Sequence, residues 1–386
     1  MSRSAEEELE AIDAAGLRRR PRVLDSAQGP HVRLDGRDMV NFSSNDYLGL
    51  ANHPLLAEAA EQAAREFGFG SGASRLICGT MRPHVELEER IAAFKGSEGA
   101  LCFGSGFAVG SGLVPALVGP GDHVVIDKLS HACLVDGARA SGATLRVFPH
   151  NRMDMLDRML GKIRAASASS RILVITESIF SMDGDKCPLQ EVVEIKDRHG
   201  ALLLLDEAHA TGVTGPEGRG LAAALGLSGR ADFQMGTLSK ALGCHGGFVA
   251  ARRPWIDLIY NRARSFIFAT APPAPVVAAA AAALELCAGN EGQIRRGLLE
   301  KNVTLLSESL GLADQPNSPI VPVLLGESEV AVAKSVALHE AGILVPAIRY
   351  PTVPIGAARL RFTATAAHGP ADFANLHKTW KKIAGV

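Results

Sequence analysis

The sequence predicts an α/β protein: a large, mostly parallel sheet covered by helices, followed by a smaller α+β unit. Three observations predict it. Apolar runs of strand length are continuous rather than alternating, the pattern of strands buried on both faces. Helical patterns separate these runs, the rhythm of a parallel sheet built from βαβ units. After Pro272-Pro273 the rhythm gives way to two long helical stretches and a short mixture of strands and helices.

Taken in order, residues 1–40 read as one helix and an extended arm. Residues 41–285 form the large unit. Its strands are GALCF (99–103), HVVID (123–127), RILVIT (171–176), ALLLLD (201–206), a run near 231–235 and GGFVAA (246–251). HVELEERIAAF (84–94) and LQEVVEIKDRH (189–199) are among the helices between them. Residues 286–386 form the small unit, which the second of two helical stretches (together about 275–311) leads into. IVPVLLG (320–326), a helix near 328–341, a strand ILVPAI (343–348), a strand RLRFTAT (359–365) and a last helix from Pro370 follow.

Composition narrows the function. A chain of 386 residues suits two packed units rather than one small core. A formal net charge of -1 gives no footprint for nucleic acid. The N-terminus has no apolar signal region, and the most apolar run, 276–284, is far short of the roughly 20 residues a spanning helix needs. Six scattered cysteines without a C-x-x-C pair suit a reducing compartment. A cytoplasmic protein with no membrane and no nucleic-acid partner is expected.

The chemistry gathers where strands end, which in an open α/β sheet is where ligands bind. GSGFAVGSG (104–112), KLSHA (128–132), ESIFSMDGD (177–185), DEAHATG (206–212) and GTLSK (236–240) each follow a strand. Singly, each has a plain explanation. Glycine-rich turns are common, and this one does not fit the dinucleotide pattern G-x-G-x-x-G. His131 could be a core histidine. Asp206 and His209 could be a metal pair or a cap with its neighbour, and Lys240 could be a surface amine.

Together they are a phosphate-binding helix start, a flat imidazole, a carboxylate at a strand end, a second histidine and a lysine among small residues. Pyridoxal 5'-phosphate needs each of these: donors for its phosphate, a stacking ring, a carboxylate for its pyridine nitrogen and an amine for its aldehyde.

The chain resembles the α-oxoamine synthases, fold-type I pyridoxal-phosphate transferases with the aspartate aminotransferase-like fold. The resemblance rests on NFSSNDYLGL (41–50), GSGASRLICGT (70–80), SGFAVG (105–110), LSHA (129–132), FSMDGD (180–185), DEAHATG (206–212), GTLSKALG (236–243) and YPTVPIGAARLR (350–361), in that order. It implies Lys240 as the Schiff-base lysine and acid–base group, His131 stacked on the cofactor, Asp206 on the pyridine nitrogen, and His209 and Ser181 on the phenolic oxygen. It implies a phosphate held by the Gly106 and Phe107 amides and the Thr237 hydroxyl, and Arg361 and Asn45 on the amino acid. It also implies a homodimer in which Thr270 reaches the partner's phosphate. Gly110 stands where the family often has asparagine.

GLRRRPRVLDSAQGP (16–30) resembles the arm of the branch that makes 8-amino-7-oxononanoate for biotin from L-alanine and a pimeloyl thioester, carried on coenzyme A or acyl-carrier protein. Arg18 and Thr352 are then the acyl-contact positions, unless Arg18 to Arg20 form a solvated basic turn. Tyr350 keeps open the glycine-using branches, resembling 2-amino-3-ketobutyrate coenzyme A ligase and 5-aminolevulinate synthase. A catalytically silent partner subunit and a metal hydrolase using His131, Asp206 and His209 are the readings from other classes.

Overall fold

The computed structural model describes residues 4–19, 21–313 and 318–385. Helix α1 (Ala5–Ala14) is capped by Ser4 and leads into an arm. The arm runs into a hairpin of β1 (His31–Leu34) and β2 (Arg37–Asn41), after which come helices α2 (Pro54–Phe67) and α3 (Arg82–Lys95).

The central sheet has seven strands: β3 (Gly99–Phe103), β4 (His123–Asp127), β5 (Thr144–Phe148), β6 (Ile172–Glu177), β7 (Leu202–Asp206), β8 (Phe233–Thr237) and β9 (Gly247–Ala251). Their spatial order is β3-β9-β8-β7-β6-β4-β5. Strands β4 to β8 pair in parallel, and β9 runs antiparallel between β3 and β8. The predicted strands therefore form, with ends within two residues of expectation. Strand β5 carries no continuous apolar run. It lies at the sheet edge with most residues exposed or half-buried, and Arg146 interrupts it.

Helices α4 (Gly106–Leu117) and α5 (Ala132–Ala140) follow β3 and β4 and touch closely. A Cβ on Gly110 would lie 2.5 Å from Cys133 Sγ, and one on Gly137 2.4 Å from the Gly110 carbonyl oxygen. An asparagine at 110 would separate the two helices, so the glycine is a packing requirement of this chain.

The C-terminal part adds β10 (Ile320–Gly326), β11 (Ile343–Leu344), β12 (Ala347–Ile348) and β13 (Ala358–Thr363). The stretch ILVPAI, expected as one strand, is two. β11 joins β2 in parallel, while β12 joins β13 antiparallel in a different sheet. Pro346 lies between them without an N–H to continue a ladder, and the Val345 carbonyl accepts from the Ser335 hydroxyl at 2.6 Å instead. Among the described residues no helix is long and apolar enough to cross a membrane, and all six cysteines are free.

Candidate active site

Strand β7 is a run of leucines ending in a carboxylate. Leu203, Leu204 and Leu205 are fully buried, and Asp206 at the strand end is nearly so. Its Oδ1 accepts from the Ala208 amide at 2.9 Å. The next residue, Glu207, is taken up by the buried Lys95 and by the Ala222 amide. It anchors the DEAHATG loop and leaves Asp206 free for the site. Glu177 ends β6 directly opposite Asp206 in the ladder. It is buried, and its Oε1 has no hydrogen-bond partner among the described residues.

Three residues beyond Asp206 the loop presents His209, whose Nδ1 lies 2.7 Å from the Tyr47 hydroxyl. That hydroxyl is 3.1 Å from Asn45 Oδ1 and 3.5 Å from Arg361 Nη2. Arg361, on β13, donates from Nη2 to Asn45 Oδ1 at 3.2 Å and from Nε to the Ser181 carbonyl at 2.6 Å. Its Nη1 donates to no protein group among the described residues. Segments far apart in sequence, around 45, 181, 209 and 361, are thus stitched together by one buried network.

Lys240 follows β8 and lines a cavity of about 560 Å³ with Asn45, Ser239 and Cys244. Its Nζ makes no hydrogen bond or ion pair among the described residues. Burial pushes this amine below its ordinary range, against the pull of Asp206 and Glu177. Burial also raises the carboxyl of Asp206, with the Lys240 charge opposing it. Glu177 is raised well above the ordinary carboxylate range, by burial and then by the Asp206 charge. His209 lies well below its ordinary range through burial and then the Lys240 and Arg361 charges, so it is neutral. Burial lowers His131 too, against Asp206. Electrostatically, His131, Glu177, Asp206, His209, Lys240 and Arg361 form one site.

His131 caps α5. Its Nδ1 accepts from the Cys133 amide at 3.3 Å, and its ring meets Phe107 edge-on at 6.5 Å between centroids. The anion cradle lies beside it. Ser105 caps α4 by accepting from the Ala108 amide at 3.0 Å. The Gly106 and Phe107 amides, in the first turn, have no partner inside the helix. Thr237 borders Gly106, its Oγ1 3.5 Å from where a Gly106 Cβ would stand. The Thr237 hydroxyl donates to the Gly246 carbonyl at 2.9 Å. Gly247 is the fitted piece: a Cβ there would lie 2.7 Å from Gly106 Cα and N. Only a bare backbone lets β9 and the start of α4 come this close.

The expected residues thus fall into two sets. Asn45, Gly106, Phe107, His131, Ser181, Asp206, His209, Thr237, Lys240 and Arg361 converge. Arg18 pairs with Asp13 at 3.4 Å and does not line the Lys240 cavity; Arg20 of the same run lies outside the described residues. Thr352 is exposed on the loop before β13, and Thr270 is exposed and bridged to Ser74.

Two functional candidates were not singled out from sequence, Tyr47 and Glu177. Each sits inside a quoted motif. Glu177 carried the signal that picked out Asp206, a carboxylate at the end of a buried strand. Among the described residues no group of three His, Cys, Asp or Glu side chains is placed to hold a metal ion.

Residues 37–379 match the family model described as aminotransferase class I and II. Among curated relatives, 8-amino-7-oxononanoate synthase of Anaeromyxobacter dehalogenans is 50% identical, covering 95% of this chain and 91% of its own length. The enzyme of that description from Geobacter sulfurreducens is 47% identical, with 96% and 95% covered. Among solved structures, serine palmitoyltransferase from S. paucimobilis, with a bound PLP-myriocin aldimine, has a TM-score of 0.92 at 31% identity, with 98% of this chain and 96% of that chain covered. The 8-amino-7-oxononanoate synthase of Francisella tularensis has a TM-score of 0.75 at 26% identity, with 90% and 97% covered.

Proposed function

The chain belongs to the aminotransferase class I and II family, and from that premise we propose that it is a pyridoxal 5'-phosphate enzyme joining L-alanine to a pimeloyl thioester. The products are 8-amino-7-oxononanoate, CO2 and the free thiol, a step of biotin synthesis. The observation that carries this reading is the unpaired Lys240 amine facing a cavity, with Asp206, His131, His209 and Arg361 around it. Relatives that are 47% and 50% identical over nearly the whole chain support the same activity. Backbone likeness is greater to serine palmitoyltransferase, but side chains in the site, not the path of the chain, choose the substrate.

The donor set fits the cofactor. The glycine-lined start of α4 suits its phosphate, since amides without helical partners bind anions. Asp206, raised by burial, gains from a protonated ring nitrogen, because a cation favours the charged carboxylate. His131 supplies a flat neutral ring beside the cradle. His209 and Ser181 would serve as hydrogen-bond partners of its phenolic oxygen. Lys240, its pKa lowered by burial, supplies the amine for the aldehyde. When bound, pyridoxal phosphate supplies an electron sink for charge that develops at the α-carbon of the amino acid.

The chain's own residues do the rest. Arg361 offers the free Nη1 edge of its guanidinium to the amino-acid carboxylate, where a planar donor suits a planar acceptor. Asn45 and Tyr47 hold that guanidinium in place. Lys240 takes the proton from the α-carbon, which frees that carbon to attack the thioester carbonyl and expel the thiol. After CO2 leaves, Lys240 returns a proton to the same carbon.

Further parts of the reading concern the outer site. Arg18 and Thr352 are proposed to meet the acyl chain, with the Arg18 cation suited to its distal carboxylate. Two copies are proposed to assemble with Thr270 at the partner's phosphate. Exposed Phe69, Ile77 and Phe268 support this, because they lie on the two segments that the Ser74–Thr270 bridge joins. The protein is proposed to act in the cytoplasm.

The test is thiol release from three substrate pairs: L-alanine with pimeloyl-CoA, glycine with acetyl-CoA, and L-serine with palmitoyl-CoA. Release confined to the first pair is expected. Release confined to either other pair would keep the Lys240 chemistry and overturn the substrate assignment.

A further inference from the structure

A second polar cluster, at the ends of β4 and β5, takes no part in the assignments above. Asp127 ends β4, His150 follows β5, and Asp185 closes the FSMDGD loop. His150 Nδ1 lies 3.0 Å from Asp127 Oδ1, and its Nε2 lies 2.8 Å from Asp185 Oδ2. A neutral imidazole has one N–H and can donate to one carboxylate; serving both requires the second ring proton. Asn151 repeats the link. Its amide donates to Asp127 Oδ2 at 3.0 Å and its side chain donates to Asp185 Oδ2 at 2.9 Å. Phe180 packs edge-on against the His150 ring at 4.4 Å between centroids.

Both carboxylates shape segments that reach the site. Asp127 Oδ1 also accepts from the Leu129 amide at 2.8 Å, and the Asp127 carbonyl accepts from the Ser130 amide at 3.1 Å. These bonds set the turn that ends at His131. Asp185 belongs to the loop that begins at Phe180 and Ser181, and its carbonyl accepts from the Phe180 amide at 3.0 Å. The loop is gripped from the other side by β13, through Arg359 on Asp183 and Arg361 on the Ser181 carbonyl.

We propose that His150 is a positioning residue: clamped between Asp127 and Asp185, it anchors the turn that carries His131 to the loop that carries Ser181, and so sets the grip on the cofactor. It touches neither cofactor nor substrate. Burial alone would pull its proton off, but the hydrogen bonds to Asp127 and Asp185 outweigh that and raise its pKa to about 10, so the clamp stays closed at neutral pH. The proposal rests on the pyridoxal phosphate reading.

A double-mutant cycle on cofactor affinity tests it, with apo protein titrated with pyridoxal 5'-phosphate by equilibrium dialysis. His150→Gln is expected to raise the Kd about tenfold in the otherwise natural chain, but less than about twofold in a His131→Ala/Ser181→Ala background, where both groups it positions are gone. An equal factor in both backgrounds, or an unchanged Kd, overturns the proposal, because a residue that merely supports the fold acts alike in both. Asp185→Asn, on a partly exposed side chain, carries the same cycle should His150→Gln not fold. Failure of the unmutated protein to bind pyridoxal phosphate would sink the cofactor reading itself, a different result from binding without coupling.

Discussion

The Tyr47 hydroxyl lies 2.7 Å from His209 Nδ1, across 162 residues of sequence. Tyr47 is fully buried and His209 nearly so. The same hydroxyl faces Asn45 and Arg361. One oxygen therefore connects the histidine beside Asp206 with the arginine assigned to the substrate carboxylate.

Tyr47→Phe keeps the ring and removes that oxygen. His209 Nδ1 is left buried without its partner, an effect of about 1–3 kcal/mol. Thermal stability is expected to fall, and KM for L-alanine to rise more than kcat falls, because Arg361 loses part of its support. Steady-state kinetics and a melting curve check this. Natural values of both KM and Tm in the variant would refute it.

Gly247→Ala is expected to lower stability by about 1–3 kcal/mol, the range for forcing atoms into a packed interior. The added Cβ meets Gly106 Cα and N at 2.7 Å, so the start of α4 must move and the cradle loosens. The variant should also lose cofactor faster on dialysis. Gly104→Ala is the control: its Cβ would meet nothing within 4 Å, and its φ is not positive. Equal behaviour of the two variants would remove the cradle argument.

Acid should weaken the junction between β2 and the C-terminal helix. Burial lowers the pKa of His368 to about 4 from its ordinary 6.5. Its Nε2 meets the Asn41 carbonyl at 3.1 Å, and its Nδ1 accepts from the Thr365 amide at 3.0 Å, which only a neutral ring can do. The folded chain keeps this ring unprotonated where the unfolded chain binds a proton. Stability from His368 is therefore present above about pH 6.5 and lost as pH falls toward about 4. The Tm difference between the natural protein and His368→Gln should be largest near pH 7 and shrink across that window. A difference that stays constant from pH 7 to 4 would contradict it.

Much of the site was legible because its residues sit at strand ends. A parallel sheet brings those ends to one edge, so local motifs after β3, β4, β6, β7 and β8 become neighbours by topology. Glu177 shares that signal, since it ends a buried strand as Asp206 does. Tyr47 had no such signal. A tyrosine in a quoted motif gains meaning when 45, 209 and 361 meet at its hydroxyl, and that meeting is tertiary.

By itself, then, the sequence determined the continuous buried strands, the helices between them, the order of the chemical motifs and the lysine among small residues. These are local properties, set by side-chain burial and backbone freedom within a few residues. Tertiary structure alone decided the rest. ILVPAI divides because its two halves meet different partner strands. Gly247 must be bare because another segment's backbone lies against it. His150 bridges two carboxylates because β4 and β6 lie side by side. Each of these depends on atoms that approach from distant parts of the chain, and contact at that range is written in the packing rather than in the local pattern.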